Sequence, residues 1–122
     1  SDPRWTWGRK YVLLRQQSGE GVRPQKVGAW VPDGWAAYVN AGLCFIKRFT
    51  LDEHATYPDL NSNVETFTNN AMLEVETLGP LAPLEPAGTV EHVEQWQLFD
   101  GVDAPQSDAD VDTAILPLLA DG

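Results

Sequence analysis

The stretch SNVETFTNNAMLEVETL at residues 62–78 decides the fold. Two runs rich in β-branched and apolar residues, 62–68 and 71–78, flank Asn69-Asn70. Asparagine tolerates the positive φ that a two-residue type I′ turn requires, so the stretch reads as a hairpin. That turn sets a register in which Thr68 faces Ala71, Phe67 faces Met72, Thr66 faces Leu73, Glu65 faces Glu74, Val64 faces Val75 and Asn63 faces Glu76. Opposed residues share a face. One face then carries Val64, Thr66, Leu73 and Val75, which suits a core; the other carries Asn63, Glu65, Phe67, Met72, Glu74 and Glu76.

Glu65 and Glu74 are therefore expected directly opposite each other, with Glu76 one step along. Opposed Cβ atoms lie about 5 Å apart, where like charges repel. In a cleft, two carboxylates so close cannot both ionise cheaply, and one keeps its proton near neutral pH. That is the basis of general acid–base chemistry and of sugar chemistry by paired acids. The alternative is a solvated outer face, against which stand Phe67 and Met72. Lys47 or Arg48 could neutralise the pair, but they alternate along one strand, so only one of them can reach it.

Outward from the hairpin, short segments rich in Val, Tyr, Trp and Phe alternate with Gly, Pro, Asn and Asp. Strands are expected at 9–16, 26–31, 34–39, 42–49 and 88–99 besides the hairpin pair. Seven strands at this spacing predict an all-β fold, an antiparallel β-sandwich over residues 1–99. Residues 100–122 read as an acidic C-terminal tail with a short helix at 111–119. The length of 122 residues fits one domain, and 43% hydrophobic residues supply a core.

The net charge of −10 argues against nucleic acid and anionic membrane as partners. The charge is uneven: residues 1–50 hold all eight bases against three acids, and residues 51–122 hold fifteen acids and no base. No apolar run approaches the roughly 20 residues of a membrane helix. A single cysteine, Cys44, gives no support to secretion. With no signal-peptide pattern and no initial Met, the chain reads as a processed or excised piece of a cytoplasmic protein.

Other chemistry is thinly represented. No His/Cys spacing suits a metal, no glycine-rich phosphate loop appears, and no serine or cysteine nucleophile motif is present, so no cofactor is called for. Asp108, Asp110 and Asp112 lack the glycine and closing glutamate of a calcium loop and read as solvated tail. In strand 88–99 one parity carries Val90, His92, Glu94, Trp96 and Leu98, the more apolar side. His92 there is either a hydrogen-bonded core or rim residue or a proton donor. Trp35 and Tyr38 can stack on a sugar ring, although their parities differ and core packing is the commoner fate of each. His54 and Tyr57 fall in the long connection 50–61.

The runs DPRxTxGRKY at 2–11, DGWAAY at 33–38, FIKRF at 45–49, YPD at 57–59, NVETFTN at 63–69, MLEVETLGPL at 72–81 and EHVEQW at 91–96 form ordered blocks. In them the chain resembles an uncharacterised bacterial family of the galactose-mutarotase-like (aldose 1-epimerase-like) superfamily, over about residues 2–99. The resemblance implies an antiparallel β-sandwich with a carbohydrate cleft on one sheet, of which this chain is about the back half. Epimerases of that superfamily use a glutamate base and a histidine acid. The resemblance implies Glu65 as nearest counterpart of the base; no histidine matches as well, and His92 stands in.

The sequence thus points to a carbohydrate-active protein, epimerase-like or glycosidase-like, with Glu65, Glu74 and His92 as catalytic residues. Trp35, Lys47, Arg48, Tyr57 and Glu76 are expected to hold the sugar. A non-catalytic carbohydrate-binding module or a structural half-domain is the alternative. A half-sandwich exposes apolar surface, including some of its five tryptophans, and that predicts a homodimer.

Overall fold

The computed structural model describes residues 2–120. Over the described residues the chain is all-β, with eight antiparallel strands in three sheets followed by two short helices. Strands β1 (Trp5–Trp7) and β2 (Val12–Leu14) form a two-stranded ribbon. Strands β3 (Gln25–Ala29), β6 (Val64–Thr68) and β7 (Leu73–Thr77) form one three-stranded sheet in the order β3-β6-β7. Strands β4 (Trp35–Asn40), β5 (Leu43–Phe49) and β8 (Glu94–Phe99) form the other, in the order β4-β5-β8. All seven expected strands exist, and β1 is an eighth. The last is shorter than expected, because residues 88–93 pair with no neighbour and only 94–99 join the ladder.

The decisive hairpin forms, with its turn moved one residue along. Thr68 pairs with Leu73 and Asn69 N–H donates to the Met72 carbonyl, which leaves Asn70-Ala71 as the turn. No residue of this turn has positive φ among the described residues, so it is not type I′. Asn69 is the reason: its Oδ1 accepts from the N–H groups of Ala71 (2.8 Å) and Met72 (3.0 Å). A side chain that caps its own turn belongs at the first turn position, not a central one. The type I′ requirement is met instead between β4 and β5, where Ala41 and Gly42 have φ of 51° and 79°.

The shift moves one strand two places against the other. Glu65 now faces Glu76, and Glu74 faces Phe67. Because the side-chain period is two, a two-place shift leaves every residue on its expected face. Glu65 and Glu74 share a face but are not opposed, which corrects the expected pairing.

The core lies under one side of β4-β5-β8. Cys44 and Ile46 are fully buried, and Trp35, Ala37, Val39 and Phe99 pack around them. The other wall comes from residues expected to be a tail: Val102, Val111 and Ile115 are buried against this sheet. Helix α1 (Asp108–Ala114) starts where the Ser107 hydroxyl caps the Asp110 N–H at 3.1 Å, with Asp108 and Asp110 in the first turn against the positive helix end. Helix α2 (Leu116–Leu119) follows, opened by Pro117. Asp108 is no solvated tail residue. It accepts from the backbone N–H groups of Arg9, Lys10 and Tyr11, and so ties the ribbon to α1. Asp112 adds the Tyr11 hydroxyl at 2.8 Å and a Lys10 ion pair at 2.7 Å. Residues 121 and 122 of the expected tail lie outside the described residues.

Candidate functional site

Two polar clusters stand on opposite faces of the β6–β7 hairpin. The first surrounds Glu65, which is 6% exposed. Lys26 Nζ on β3 is 3.6 Å from its Oε2, Glu76 faces it from β7, and Asp59 reaches it from the connection before β6. That connection ends in an unusual turn, Pro58–Asn61, in which Asp59, Leu60 and Asn61 all take left-handed φ of 50–67°. The turn is held by Ser62 N–H to the Pro58 carbonyl (2.9 Å), Ser62 Oγ to the Asp59 carbonyl (2.7 Å) and Tyr57 N–H to Asn61 Oδ1 (3.0 Å). A hydrogen bond shared with the Asp59 carboxyl, then burial, pushes the Glu65 carboxyl above its usual range. Lys26 opposes the rise and Glu76 adds to it. The pair opens on a cavity of about 580 Å³, lined also by Lys26, Trp30, Asn61 and Ser62.

The raised Glu65 carboxyl has a stability consequence. The folded chain holds this proton more tightly than the unfolded chain. The stabilisation is complete below the ordinary carboxylate range and is lost as pH rises through the folded pKa. Glu65→Gln keeps the shape and cannot ionise. It is expected to be more stable than the parent at pH 8 by about 1 kcal/mol, about 4 °C in Tm, and equal to it under acid conditions. Thermal melts of both proteins across that range check this; a variant less stable at every pH refutes it.

The second cluster sits where the two three-stranded sheets meet. Thr77 points to the face of β7 that also carries Val75, away from Glu76. Its Oγ1 donates to Glu94 Oε2 at 2.7 Å and lies 2.7 Å from His92 Nε2. Lys47, from the middle of β5, is 3.2 Å from the same Glu94 oxygen and donates to the Val75 carbonyl at 3.0 Å. Burial pushes the Glu94 carboxyl up, but the hydrogen bonds from Thr77 and Lys47 outweigh it and hold the group below its usual range. Glu94 is thus an anion at neutral pH, paired and only 20% exposed.

Beside this polar line stands Trp96, opposite Lys47 in the ladder. Phe45 meets its ring edge-on at 5.5 Å, and Lys47 Nζ is 5.7 Å from the ring centroid. The indole is nevertheless 67% exposed, and Leu98 next to it 66%. The more apolar parity of this segment is therefore the outer one. Strand β5 dictates this: its buried Cys44 and Ile46 oppose Phe99 and Gln97, so the alternate residues Glu94, Trp96 and Leu98 must point out.

The expected site residues are divided between these places. Lys47, His92 and Glu94 come together; Glu65 and Glu76 belong to the other face, with Glu74 towards the turn. Lys47 neutralises Glu94 rather than the Glu65 face. Trp35 packs in the core, 6.1 Å from Tyr11. Arg48 shares that side and donates to the Leu119 carbonyl. Tyr57 is 3% exposed, lies edge-on to Trp30 at 5.0 Å, and its hydroxyl accepts the Asp52 N–H. The Tyr57 hydroxyl and one Arg48 guanidinium nitrogen are thus spent on the fold. Thr77 and the Trp96 platform were not expected. The local signal was the alternation Glu94-x-Trp96-x-Leu98.

Among the described residues no group of His, Cys, Asp and Glu is arranged to hold a metal, and no helix is long and apolar enough to cross a membrane. Comparison with family models, with curated proteins and with solved structures returns no match to this chain.

Proposed function

We propose that this chain binds a carbohydrate, with a sugar ring stacked on Trp96 and its hydroxyls directed to Glu94 and His92. One observation carries the reading: a large indole is fixed in orientation by Phe45 and Lys47, yet left open to solvent beside a paired carboxylate. An aromatic ring offers a flat apolar face to the C–H side of a pyranose. An ionised carboxylate accepts strong hydrogen bonds from sugar hydroxyls. Proton-detected NMR titration with a panel of neutral mono- and disaccharides tests it through the indole N–H signals. Trp96→Ala is expected to weaken binding at least tenfold, about 1.4 kcal/mol. A panel with no binder, or a variant that binds equally well, refutes the proposal.

A second reading adds catalysis. Glu94 and His92 are bridged by one hydroxyl, so a carboxylate and an imidazole lie together beside the platform. These are the residue types that the resemblance implies for sugar epimerases, and proton transfer at an anomeric centre needs such a pair. Exchange between α and β anomers, followed by NMR, is expected to quicken with the parent protein and not with Glu94→Gln or His92→Gln.

A further inference from the structure

The Thr77 hydroxyl holds one proton and is shared by two partners. Glu94, ion-paired with Lys47, is ionised and can only accept. The Thr77 proton therefore goes to Glu94, and the Thr77 oxygen is left to accept. His92 Nε2, 2.7 Å away, must then be the donor. We propose that Thr77 is a positioning residue, one that fixes His92 in the Nε2–H tautomer and leaves Nδ1 as the free proton acceptor of the neutral ring. The other side of the ring supports this use. A methyl group at Gly79 would come within 3.3 Å of the His92 Cβ and 3.4 Å of Cγ and Nδ1, so the bare glycine lets the His92 side chain pass close to the backbone without added bulk beside Nδ1. Phe49, with its ring 6.4 Å from the imidazole, flanks it.

The role in sugar chemistry rests on the reading above; the tautomer does not. It is read from two-bond ¹H–¹⁵N correlations of ¹⁵N-histidine-labelled protein, at a pH well above the ordinary histidine range. The chain has two histidines, so His54→Gln leaves His92 alone in the spectrum. The parent is expected to show Nε2 protonated. Glu94→Met removes the acceptor and frees the Thr77 proton to turn towards Nε2. It is expected to move the tautomer ratio towards Nδ1–H by about tenfold, the upper range for one neutral hydrogen bond. Thr77→Val removes the hydroxyl and is expected to abolish the difference between Glu and Met at position 94, while Thr77→Ser retains the parental ratio. An Nδ1–H parent, or a ratio unchanged by Thr77→Val and by Glu94→Met, overturns the proposal. Should Glu94→Met fail to fold, the parent, Thr77→Val and Thr77→Ser decide alone. A sugar that binds while the tautomer prediction fails overturns only this assignment. The predicted tautomers with no sugar bound overturn only the carbohydrate reading.

Discussion

Asn63→Ala is expected to lower the stability of the chain by about 3 kcal/mol. Asn63 is fully buried just ahead of β6. Its Oδ1 accepts the Val31 N–H at 2.6 Å and its Nδ2 donates to the Val31 carbonyl at 2.9 Å. Its own N–H reaches the Ala29 carbonyl, and its carbonyl accepts from Leu78. The ladder between β3 and β6 ends at Ala29–Val64, and the side chain carries the pairing on to Val31 as a strand would. Alanine leaves a donor and an acceptor without partners and adds a void. Each orphaned group costs about 1–3 kcal/mol. Urea unfolding is the measurement, with a lower midpoint and an unchanged slope expected. A loss below about 1 kcal/mol would show that water replaces the amide.

Gly34→Ala is expected to cost nearly as much, and to reach the candidate site. Gly34 has φ of +72°, a conformation that costs an L-residue about 1–2 kcal/mol. An added Cβ would also lie 2.6 Å from the Phe49 carbonyl oxygen, an atom of the β5 backbone. The Gly34 carbonyl accepts the Phe49 N–H, so this contact closes the open end of the β4–β5 hairpin. Together these effects predict a loss of about 3 kcal/mol, near 10 °C in Tm. Phe49 is 8% exposed and flanks the His92 ring, so the His92 ring signals are expected to shift as well. An unchanged melting temperature would refute the close approach.

Strand alternation was legible because each face of a hairpin repeats every second residue. That was enough for an all-β fold and for a face shared by Glu65, Glu74 and Glu76. The register was not legible, because both turn placements keep the same faces. Only the hydrogen bonds of Asn69 choose between them, and a second asparagine stands next to it. The outward aim of Trp96 was hidden for a different reason. Hydrophobicity along one strand cannot tell core from platform, and a neighbouring strand, β5, sets the parity. Asp108 was misread because its three backbone partners stand almost a hundred residues earlier. Strand β1 spans three residues, too few for alternation to show. Thr77 carries no sequence signal at all: it matters only because Glu94, on a strand of another sheet, and His92, just ahead of that strand, arrive beside it.

That junction has a thermodynamic meaning. Thr77 and the Val75 carbonyl belong to one sheet, while Lys47 and Glu94 belong to the other, so the same few hydrogen bonds build the proposed sugar site and join the sheets. A ligand that engages Glu94 recognises the docked arrangement and not the separated one, and mass action converts its affinity into cohesion. At a hundred times its dissociation constant, a ligand adds about 2.7 kcal/mol to the folded state. A melting curve recorded against a library of sugars is therefore a binding assay that requires no knowledge of the reaction. On the proposed reading, the sugar that raises the transition most is the one that the junction between the sheets fits best.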